Sequence, residues 1–264
     1  MITLRSGTSG EGIVSLMPGH PLHFDPAREE HELRDYLGDA FELESLHNYQ
    51  RTLDDEVQQI HDEQQLYRTS RAYLYNLTAF AMTATKLPYL RELTAHLPPG
   101  SRVLDYGCGI GSDGLLLAEA GYAVEFADFD NPSARYLRWR LENRGIDAPV
   151  HDLDRHVPGG FDAGFAFDVI EHVDDPFAFL REMERRADLV MVNFLEPEPD
   201  DQDLHHELPV RDLVDHAAEG RLMSYGIHHK RSHLVLYSPQ RASRARRVKQ
   251  RMAVSWARRR YGTP

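Results

Sequence analysis

The amino-acid sequence predicts an α/β protein built on a doubly wound, mostly parallel seven-stranded sheet, with an antiparallel hairpin at one edge and an N-terminal helical lid. Two patterns indicate this class. Stretches 51–67 and 71–86 place apolar residues at helical spacing and contain neither Gly nor Pro. After residue 100, short apolar runs alternate with helical segments, which is typical of parallel strands covered on both faces.

The strands are predicted from apolar runs and the helices from their end signals. Asn131 and Pro132 predict the start of a helix, and Gly145 lies just beyond its end. The last two strands, 221–229 and 232–238, are close enough in sequence to pair antiparallel. The predicted parallel strands are 102–107, 122–128, 148–153, 161–170 and 188–195.

Changes in composition divide the chain into four predicted parts. The parts are an irregular segment rich in Gly, Ser, Pro and His (1–28), a helical lid or cap (29–97), an α/β domain (98–240) and a basic tail (241–264). The lid is expected to cover a ligand with Tyr67, Arg68 and Arg71. Its aromatic core is expected to include Tyr67, Tyr73, Tyr75 and Phe80.

The charge is unevenly distributed along the chain. The net charge is −12, but residues 240–264 contain nine Arg or Lys and no Asp or Glu, so the other 239 residues carry −21, the difference between −12 and +9. The acidic body should repel nucleic acid, whereas the tail could attract it or a membrane. The favoured interpretation of the tail is a solvated helix lying on the body.

The same composition bears on compartment and partners. No apolar run approaches the ~20 residues that span a bilayer, and the first residues have no continuous apolar core. The single cysteine, Cys108, excludes an intramolecular disulfide. We therefore expect a cytoplasmic protein with no membrane partner. The sequence does not determine its oligomeric state.

A glycine-rich loop follows the first parallel strand in the segment VLDYGCGIGSDG. Gly107 and Gly109 allow a tight turn close to a ligand, and Asp105 precedes them. Asp128 ends the next strand, at the position that binds ribose hydroxyls in dinucleotide-binding folds. No Lys or Arg follows the loop, which argues against a phosphate cradle. A ligand with an ammonium group and a ribose but no phosphate fits these residues, and S-adenosylmethionine is such a ligand.

The ordered segments VLDYGCGIG, AVEFADFD, HDLD and GFDAGFAFDVIEHVDDPFAFLREM resemble the class I S-adenosylmethionine-dependent methyltransferases, in the branch that acts on small molecules. The resemblance covers about residues 98–240 and implies that this part is the catalytic domain, with a Rossmann-like fold. It implies no reactive role for Cys108. It further implies that Asp105, Gly107 and Gly109 hold the methionine portion, Asp128 the ribose, Phe129 one side of the adenine, and Asp152 and the backbone at Leu153 the adenine amino group.

The segment FAFDVIEHVDDP places three polar groups after an apolar run. Asp168 is predicted to end the fourth strand beside the transferable methyl group, and Glu171 and His172 follow it. The spacing D-x-x-E-H is similar to the E-x-x-E-H segment of ubiquinone-biosynthesis O-methyltransferases and of the 2′-O-methyltransferases that cap small RNAs. In those families the segment ligates a divalent metal, which makes Glu171 and His172 candidate metal ligands here. The favoured interpretation is the polar mouth of a pocket.

Histidines supply the candidate general bases. His172, His205 and His206 follow the fourth and fifth strands, on the ligand side of the predicted sheet. A base with a pKa near neutrality favours a hydroxyl acceptor. The sequence therefore predicts methyl transfer to a small molecule, at oxygen. The alternatives are an RNA 2′-O-methyltransferase that uses a metal site and a non-catalytic protein that binds S-adenosylmethionine.

Overall fold

Strands and helices alternate from residue 102 onward in the computed structural model, which describes residues 3–6, 21–60, 63–196 and 206–261. The strands are β1 (Thr3–Ser6), β2 (Arg102–Tyr106), β3 (Ala123–Asp128), β4 (Val150–Asp152), β5 (Phe161–Ala166), β6 (Ala187–Leu195), β7 (Arg221–His228) and β8 (Ser232–Ser238). The fold class is confirmed: helices alternate with mostly parallel strands, and β8 pairs antiparallel with both β6 and β7.

Helices occupy the region predicted as a lid, the crossovers between strands and the tail. They are α1 (Pro26–Leu37), α2 (Leu43–His47), α3 (Tyr49–Ile60), α4 (Glu63–Thr69), α5 (Ala72–Met82), α6 (Leu87–Thr94), α7 (Ser112–Glu119), α8 (Pro132–Arg144), α9 (Pro176–Arg186), α10 (Val210–Ala217) and α11 (Arg244–Tyr261). The predicted caps of α8 are present: the Asn131 side chain accepts a hydrogen bond from the Ala134 N–H, and Gly145 ends the helix with φ +65°.

The helices and strands form two compact units. The loop unit comprises Gly19–Arg91 and Leu104–Val157. In it β3 and β4 pair in parallel, which brings Asp128 opposite Asp152. Its core includes residues of the amino-terminal helices and of the sheet region together: Leu33, Leu46, Leu74, Tyr75, Ile110 and Tyr136.

The hairpin unit comprises Met1–Pro18, Glu92–Val103 and Pro158–Pro264. Within it, β6 pairs in parallel with β5 on one side and antiparallel with β8 on the other. The hairpin is closed by antiparallel pairing of β7 with β8. β1 then pairs in parallel with β7, so the hairpin is followed by one further strand.

Three expectations about local structure need correction. Residues 1–28 are not wholly irregular, because Thr3–Ser6 is a strand and α1 begins at Pro26. Without β1, that edge of β7 would be unpaired, and an unpaired edge can pair with a strand whose sequence pattern is weak. The fourth predicted strand ends at Ala166 rather than at residue 170, because Asp168 has φ +54°, which a strand cannot contain. Phe80 is 38% exposed and is not a core residue.

Candidate functional site

Asp105 lies in the strand before the glycine loop and is almost completely buried. Its carboxyl accepts a hydrogen bond of 3.0 Å from the Gly114 N–H, in the first turn of α7. Burial, reinforced by the nearby charge of Asp113, raises the pKa of Asp105 well above its ordinary value. A cationic group brought next to Asp105 would reverse this shift, so this carboxyl is suited to an ammonium ligand.

Asp128 ends β3 and is the polar centre of the loop unit. Its carboxylate accepts hydrogen bonds from the backbone N–H groups of Gly109 (2.6 Å) and Phe129 (2.7 Å), and from the Asn131 side chain (3.2 Å). Burial nevertheless raises its pKa to about 6. Because a carboxylate has about four acceptor positions and three are used by these donors, it keeps room for a ligand hydroxyl.

The glycine loop lies against leucine side chains that would crowd a Cβ at two positions. Gly109 has φ +53°, and a Cβ there would lie 3.0 Å from Leu77 of α5. At Gly111, with φ +73°, a Cβ would lie 2.4 Å from Leu137 of α8. The positive φ favours glycine at both positions, and a Cβ would in addition force the Leu77 or Leu137 side chain to move. The loop is also tied to β3, because the Gly107 N–H donates to the Ala127 carbonyl at 2.8 Å.

Phe129 is half-buried and follows Asp128. The guanidinium of Arg68, from α4, lies 4.2 Å from the centroid of its ring. Arg68 also donates two hydrogen bonds to the carboxylate of Asp154. The Asn131 side chain donates to the Tyr67 carbonyl at 3.0 Å. The predicted lid residues Tyr67 and Arg68 thus contact the segments that carry Asp128 and Phe129.

The predicted adenine-binding residues follow β4. The Asp152 carboxylate accepts from the Asp154 N–H at 3.0 Å and lies 3.3 Å from Arg155. The Leu153 N–H donates to the Asp128 carbonyl at 2.9 Å. This N–H is already engaged, so the Leu153 carbonyl and the Asp152 carboxylate are the groups that remain for an amino group. These acceptors match the chemistry of the predicted contact.

A buried arginine that the sequence analysis missed connects the glycine loop to the first helix. Arg140 of α8 donates to the Ile110 carbonyl and the Ser112 hydroxyl, both at 2.9 Å. It also donates to Glu29 (2.6 Å) and Glu32 (2.8 Å) of α1. Its side chain is fully buried, so the two carboxylates compensate a charge that water cannot reach. No local pattern reveals a pairing of residues more than 100 positions apart.

In the hairpin unit, Asp168 is held in a left-handed conformation by an asparagine. Its N–H donates to the Asn193 side chain at 2.9 Å, and the Asn193 amide donates back to the Asp168 carboxylate at 2.6 Å. Asn193 is fully buried in β6 and also donates to the Ser232 hydroxyl at 3.2 Å. This reciprocal pair fixes the backbone at a position that non-glycine residues seldom adopt. A polar residue inside the apolar run DLVMVNFL is the signal that could have predicted it.

The other candidate residues of the acceptor side follow Asp168. Glu171 is buried and His172 half-buried, and both belong to a 3₁₀ turn, Ile170–His172. The His206 N–H donates to the Glu171 carbonyl at 2.8 Å, so the segment after β6 does reach this turn. His205 lies outside the described residues. Within the described ranges, His, Cys, Asp and Glu form no group of three that could hold a metal ion.

A second hydrogen-bonded network that the sequence did not predict lies in the hairpin. The ring of His233, which is completely buried, lies 2.7 Å from the Tyr225 hydroxyl and 2.8 Å from the Glu196 carboxylate. Burial lowers the pKa of His233 although Glu196 acts in the opposite direction. The ring orients Glu196 just beyond the end of β6.

The comparison with known proteins agrees with this geometry. Residues 76–239, more than half of the chain, match a family model described as a methyltransferase domain. The chain belongs to this family. Its fold is that of the class I S-adenosylmethionine-dependent methyltransferases, as the sequence resemblance predicts.

Among solved structures, that of magnesium protoporphyrin IX methyltransferase from Synechocystis PCC 6803 with bound SAH is similar over 79% of this chain and 99% of that chain. The TM-score is 0.53 and the identity 15%. TehB from Haemophilus influenzae is similar over 58% of this chain and 62% of that chain, with a TM-score of 0.51 and 15% identity. At such identities the likeness shows the fold alone.

Curated relatives of this methyltransferase include two enzymes named ubiquinone biosynthesis O-methyltransferase. The one from Xanthomonas campestris pv. campestris (strain B100) is 32% identical, and the one from Bordetella pertussis (strain Tohama I) is 31% identical, each over 106 residues. Each match covers 38% of this chain and 44% of the relative. The chain is therefore similar to less than half of their length.

Two further findings concern this methyltransferase as a polypeptide. In the described part of the chain, none of the helices is both long and apolar enough to cross a membrane. Burial and the neighbouring carboxylates Asp128 and Asp105 raise the pKa of the Cys108 thiol well above its ordinary value. Because the thiolate is the reactive form, this shift disfavours nucleophilic reactions of the Cys108 sulfur in the glycine loop.

Proposed function

We propose that the protein transfers a methyl group from S-adenosylmethionine to a hydroxyl of a small-molecule acceptor. The observation that carries this proposal is the Asp128 carboxylate, which is buried beside a glycine loop and still has an acceptor position for a ribose hydroxyl. The names of the curated relatives, which are O-methyltransferases, support oxygen as the accepting atom.

The residues of the loop unit fit this cofactor group by group. Asp105 would hold the ammonium, because a buried carboxyl with a raised pKa gains most from a cation. Asp128 would bind the ribose, Phe129 would pack on the adenine, and Asp152 would accept from its amino group. No Lys or Arg follows the glycine loop, which agrees with a ligand that carries no phosphate.

When bound, S-adenosylmethionine supplies a methyl group on a positively charged sulfur. The chain's own residues then have three tasks: to orient the acceptor, to exclude water and to take up the acceptor's proton. We assign the proton to His172 or His206, since both belong to the part of the hairpin unit where His206 reaches Glu171. His205 remains a candidate by its sequence position. The buried pair Asp168–Asn193 would hold the turn that carries His172.

The compartment and the partner follow the same proposal. We infer a small-molecule acceptor, and a cytoplasmic location that the single cysteine of the chain supports. Asp168, Glu171 and His172 are proposed to border the acceptor. Glu171 and His172 keep their candidacy as metal ligands only as a sequence-based prediction.

The test is an activity screen with S-adenosylmethionine labelled at the methyl group and a panel of phenols, catechols, amines and carboxylic acids. We expect label on a hydroxyl oxygen and a loss of about 10²–10⁴-fold in turnover for His172→Ala or His206→Ala, the usual range for removing a general base. The affinity for S-adenosylhomocysteine should be unchanged in both histidine variants. Cofactor binding without turnover on any acceptor class would contradict the proposal and favour a sensor.

A further inference from the structure

Helix α11 lies outside the residues that match the methyltransferase family, which end at 239. One of its faces is fixed to the hairpin unit. The side chain of Gln250 is fully buried and donates to the carbonyls of Ala218 and Gly220, at 2.9 and 3.0 Å. Val254 and Ala257 are buried on the same face. The rotation of the helix about its axis is therefore determined, and so is the face it turns outward.

The outward face carries a row of large apolar side chains. Val248, Met252 and Trp256 are 53%, 68% and 47% exposed. They are spaced four residues apart, so at 100° per residue they fall within a stripe about 80° wide. All three side chains are about half exposed or more, and the Arg260 guanidinium lies 5.1 Å from the centroid of the Trp256 ring. An exposed apolar row on a monomer marks an interaction surface.

Cations border this stripe on both sides. By the same helical geometry, Arg244 and Arg251 lie along one border, and Lys249 and Arg260 lie along the other. The segment 240–264 contains nine Arg or Lys and no Asp or Glu, in a chain whose net charge is −12. The exposed Arg259 lies within the same arc, beyond Trp256, so the surface is apolar from Val248 to Trp256 and positive at both edges and at its carboxyl end. Such a surface matches the boundary of an anionic bilayer, where apolar side chains enter and long cations remain at the headgroups.

We propose that α11 binds the surface of an anionic lipid membrane and lies in the plane of its headgroups. The positive charges of α11 attract the negatively charged membrane surface, and the apolar stripe adds the burial of apolar area that stabilises the bound state. A second copy of the chain fits less well, because two such faces would oppose the cations that border one stripe to the same cations of the other. Nucleic acid would satisfy the cations but leaves Val248 and Met252 exposed to water.

This proposal departs from the sequence-based expectation of no membrane partner. The segment contains too few apolar residues to be conspicuous in sequence. Their meaning depends on Gln250, Val254 and Ala257 taking the buried face, which only the packing of α11 reveals. The inference concerns a surface outside the cofactor site and is independent of the function proposed above.

The experiment is flotation of the full chain with vesicles of equal parts phosphatidylglycerol and phosphatidylcholine, compared with vesicles of pure phosphatidylcholine. We expect binding to the anionic vesicles alone, weakening as salt is raised. The double variant Met252→Ser/Trp256→Ser should bind roughly tenfold or more weakly at an unchanged melting temperature, because both side chains are exposed. The control Leu43→Ser/Phe80→Ser, which removes exposed apolar residues of α2 and α5, should bind as the wild type does.

Three results would overturn the proposal. The first is no flotation of the wild type with the anionic vesicles, and the second is undiminished flotation of the Met252→Ser/Trp256→Ser variant. The third is tighter binding of a single-stranded RNA than of the vesicles at the same salt, or a dimer in sedimentation that the variant dissociates. Either form of the third result would assign the surface to nucleic acid or to a second copy.

Discussion

Asp128 is the residue on which the cofactor proposal depends most. Its carboxylate accepts hydrogen bonds from the backbone N–H groups of Gly109 in the loop and of Phe129. Burial raises its pKa to about 6. In the ionised form it accepts hydrogen bonds from ligand hydroxyls, and protonation removes acceptor capacity. The affinity for a ribose should therefore decrease as the pH falls through this pKa.

The prediction is a decrease in S-adenosylhomocysteine affinity of about tenfold between pH 7 and pH 5, the factor given by one group with a pKa of 6. Calorimetric titrations across this range measure it. Adenosine, which lacks the ammonium and carboxylate, should show the same decline, because it keeps the ribose. An affinity that is constant from pH 5 to pH 8 for both ligands would contradict the role given to Asp128.

At the scale of elements, α1 and α8 are joined to the glycine loop by Arg140. The hydrogen bonds and charges of Arg144 and Arg140 hold the pKa of Glu32 below its ordinary value, although burial alone would raise it. Removing Arg140 would leave Glu29 and Glu32 buried with too little positive charge. It would also release the Ile110 carbonyl, and with it one side of the glycine loop.

We expect Arg140→Met to lower the free energy of unfolding by about 3–5 kcal/mol, the usual cost of breaking a buried ion pair. S-adenosylhomocysteine affinity should fall as well. Arg138→Met on the same helix is the control: this residue is exposed and paired with Asp130, so its change should be below about 1 kcal/mol. If Arg140→Met does not fold, Arg140→Lys keeps the charge and should still weaken ligand binding. Equal losses of unfolding free energy for the variants at positions 138 and 140, measured by urea unfolding, would refute this role of Arg140.

Arg68 holds helix α4 to the segments that carry Phe129 and Asp154. The Arg68 guanidinium forms a bidentate ion pair with Asp154 and also lies over the ring of Phe129. Both partners of the ion pair are substantially exposed. Such a pair contributes little to global stability, so its removal should act locally. Arg68→Ala should increase the dissociation rate of S-adenosylhomocysteine by up to about fivefold.

Stopped-flow displacement measures this rate, and the melting temperature should be nearly unchanged. Arg155→Ala provides the control, because that side chain is 84% exposed and pairs with Asp152 at the surface. A dissociation rate of Arg68→Ala equal to that of the control would show that α4 does not cover the cofactor.

At the scale of the whole molecule, the sequence is most informative where the chemistry is local. The glycine loop, Asp105, Asp128 and the caps of α8 were predicted from neighbouring residues. The Arg140 cluster, the Asp168–Asn193 pair and the Tyr225–His233–Glu196 chain were not, because each joins elements through tertiary packing. The end of β5 was misplaced for the same reason: Asn193, 25 positions away, stabilises the left-handed backbone of Asp168.

Global stability should also depend on pH through Asp128. Its pKa in the folded protein is about 6, against an ordinary value of 3.8. The folded state therefore binds more protons than the unfolded state between these values, so the free energy of unfolding decreases as the pH rises from about 4 to 6. The contribution is on the order of 3 kcal/mol. The difference in unfolding free energy between wild type and Asp128→Asn should change by this order across that window, and a difference independent of pH would contradict it.

The most direct test of the account is a calorimetric titration of S-adenosylhomocysteine into the wild type, Asp128→Ala and Asp130→Ala. Asp130 is the matched control, since it lies two residues away but is exposed and paired with Arg138. We predict that the wild type and Asp130→Ala bind with similar affinity and that Asp128→Ala loses roughly tenfold to a hundredfold, the loss expected for a charged hydrogen-bond acceptor. An absence of binding by the wild type, or equal binding by all three proteins, would contradict the assignment of this loop unit as the cofactor site.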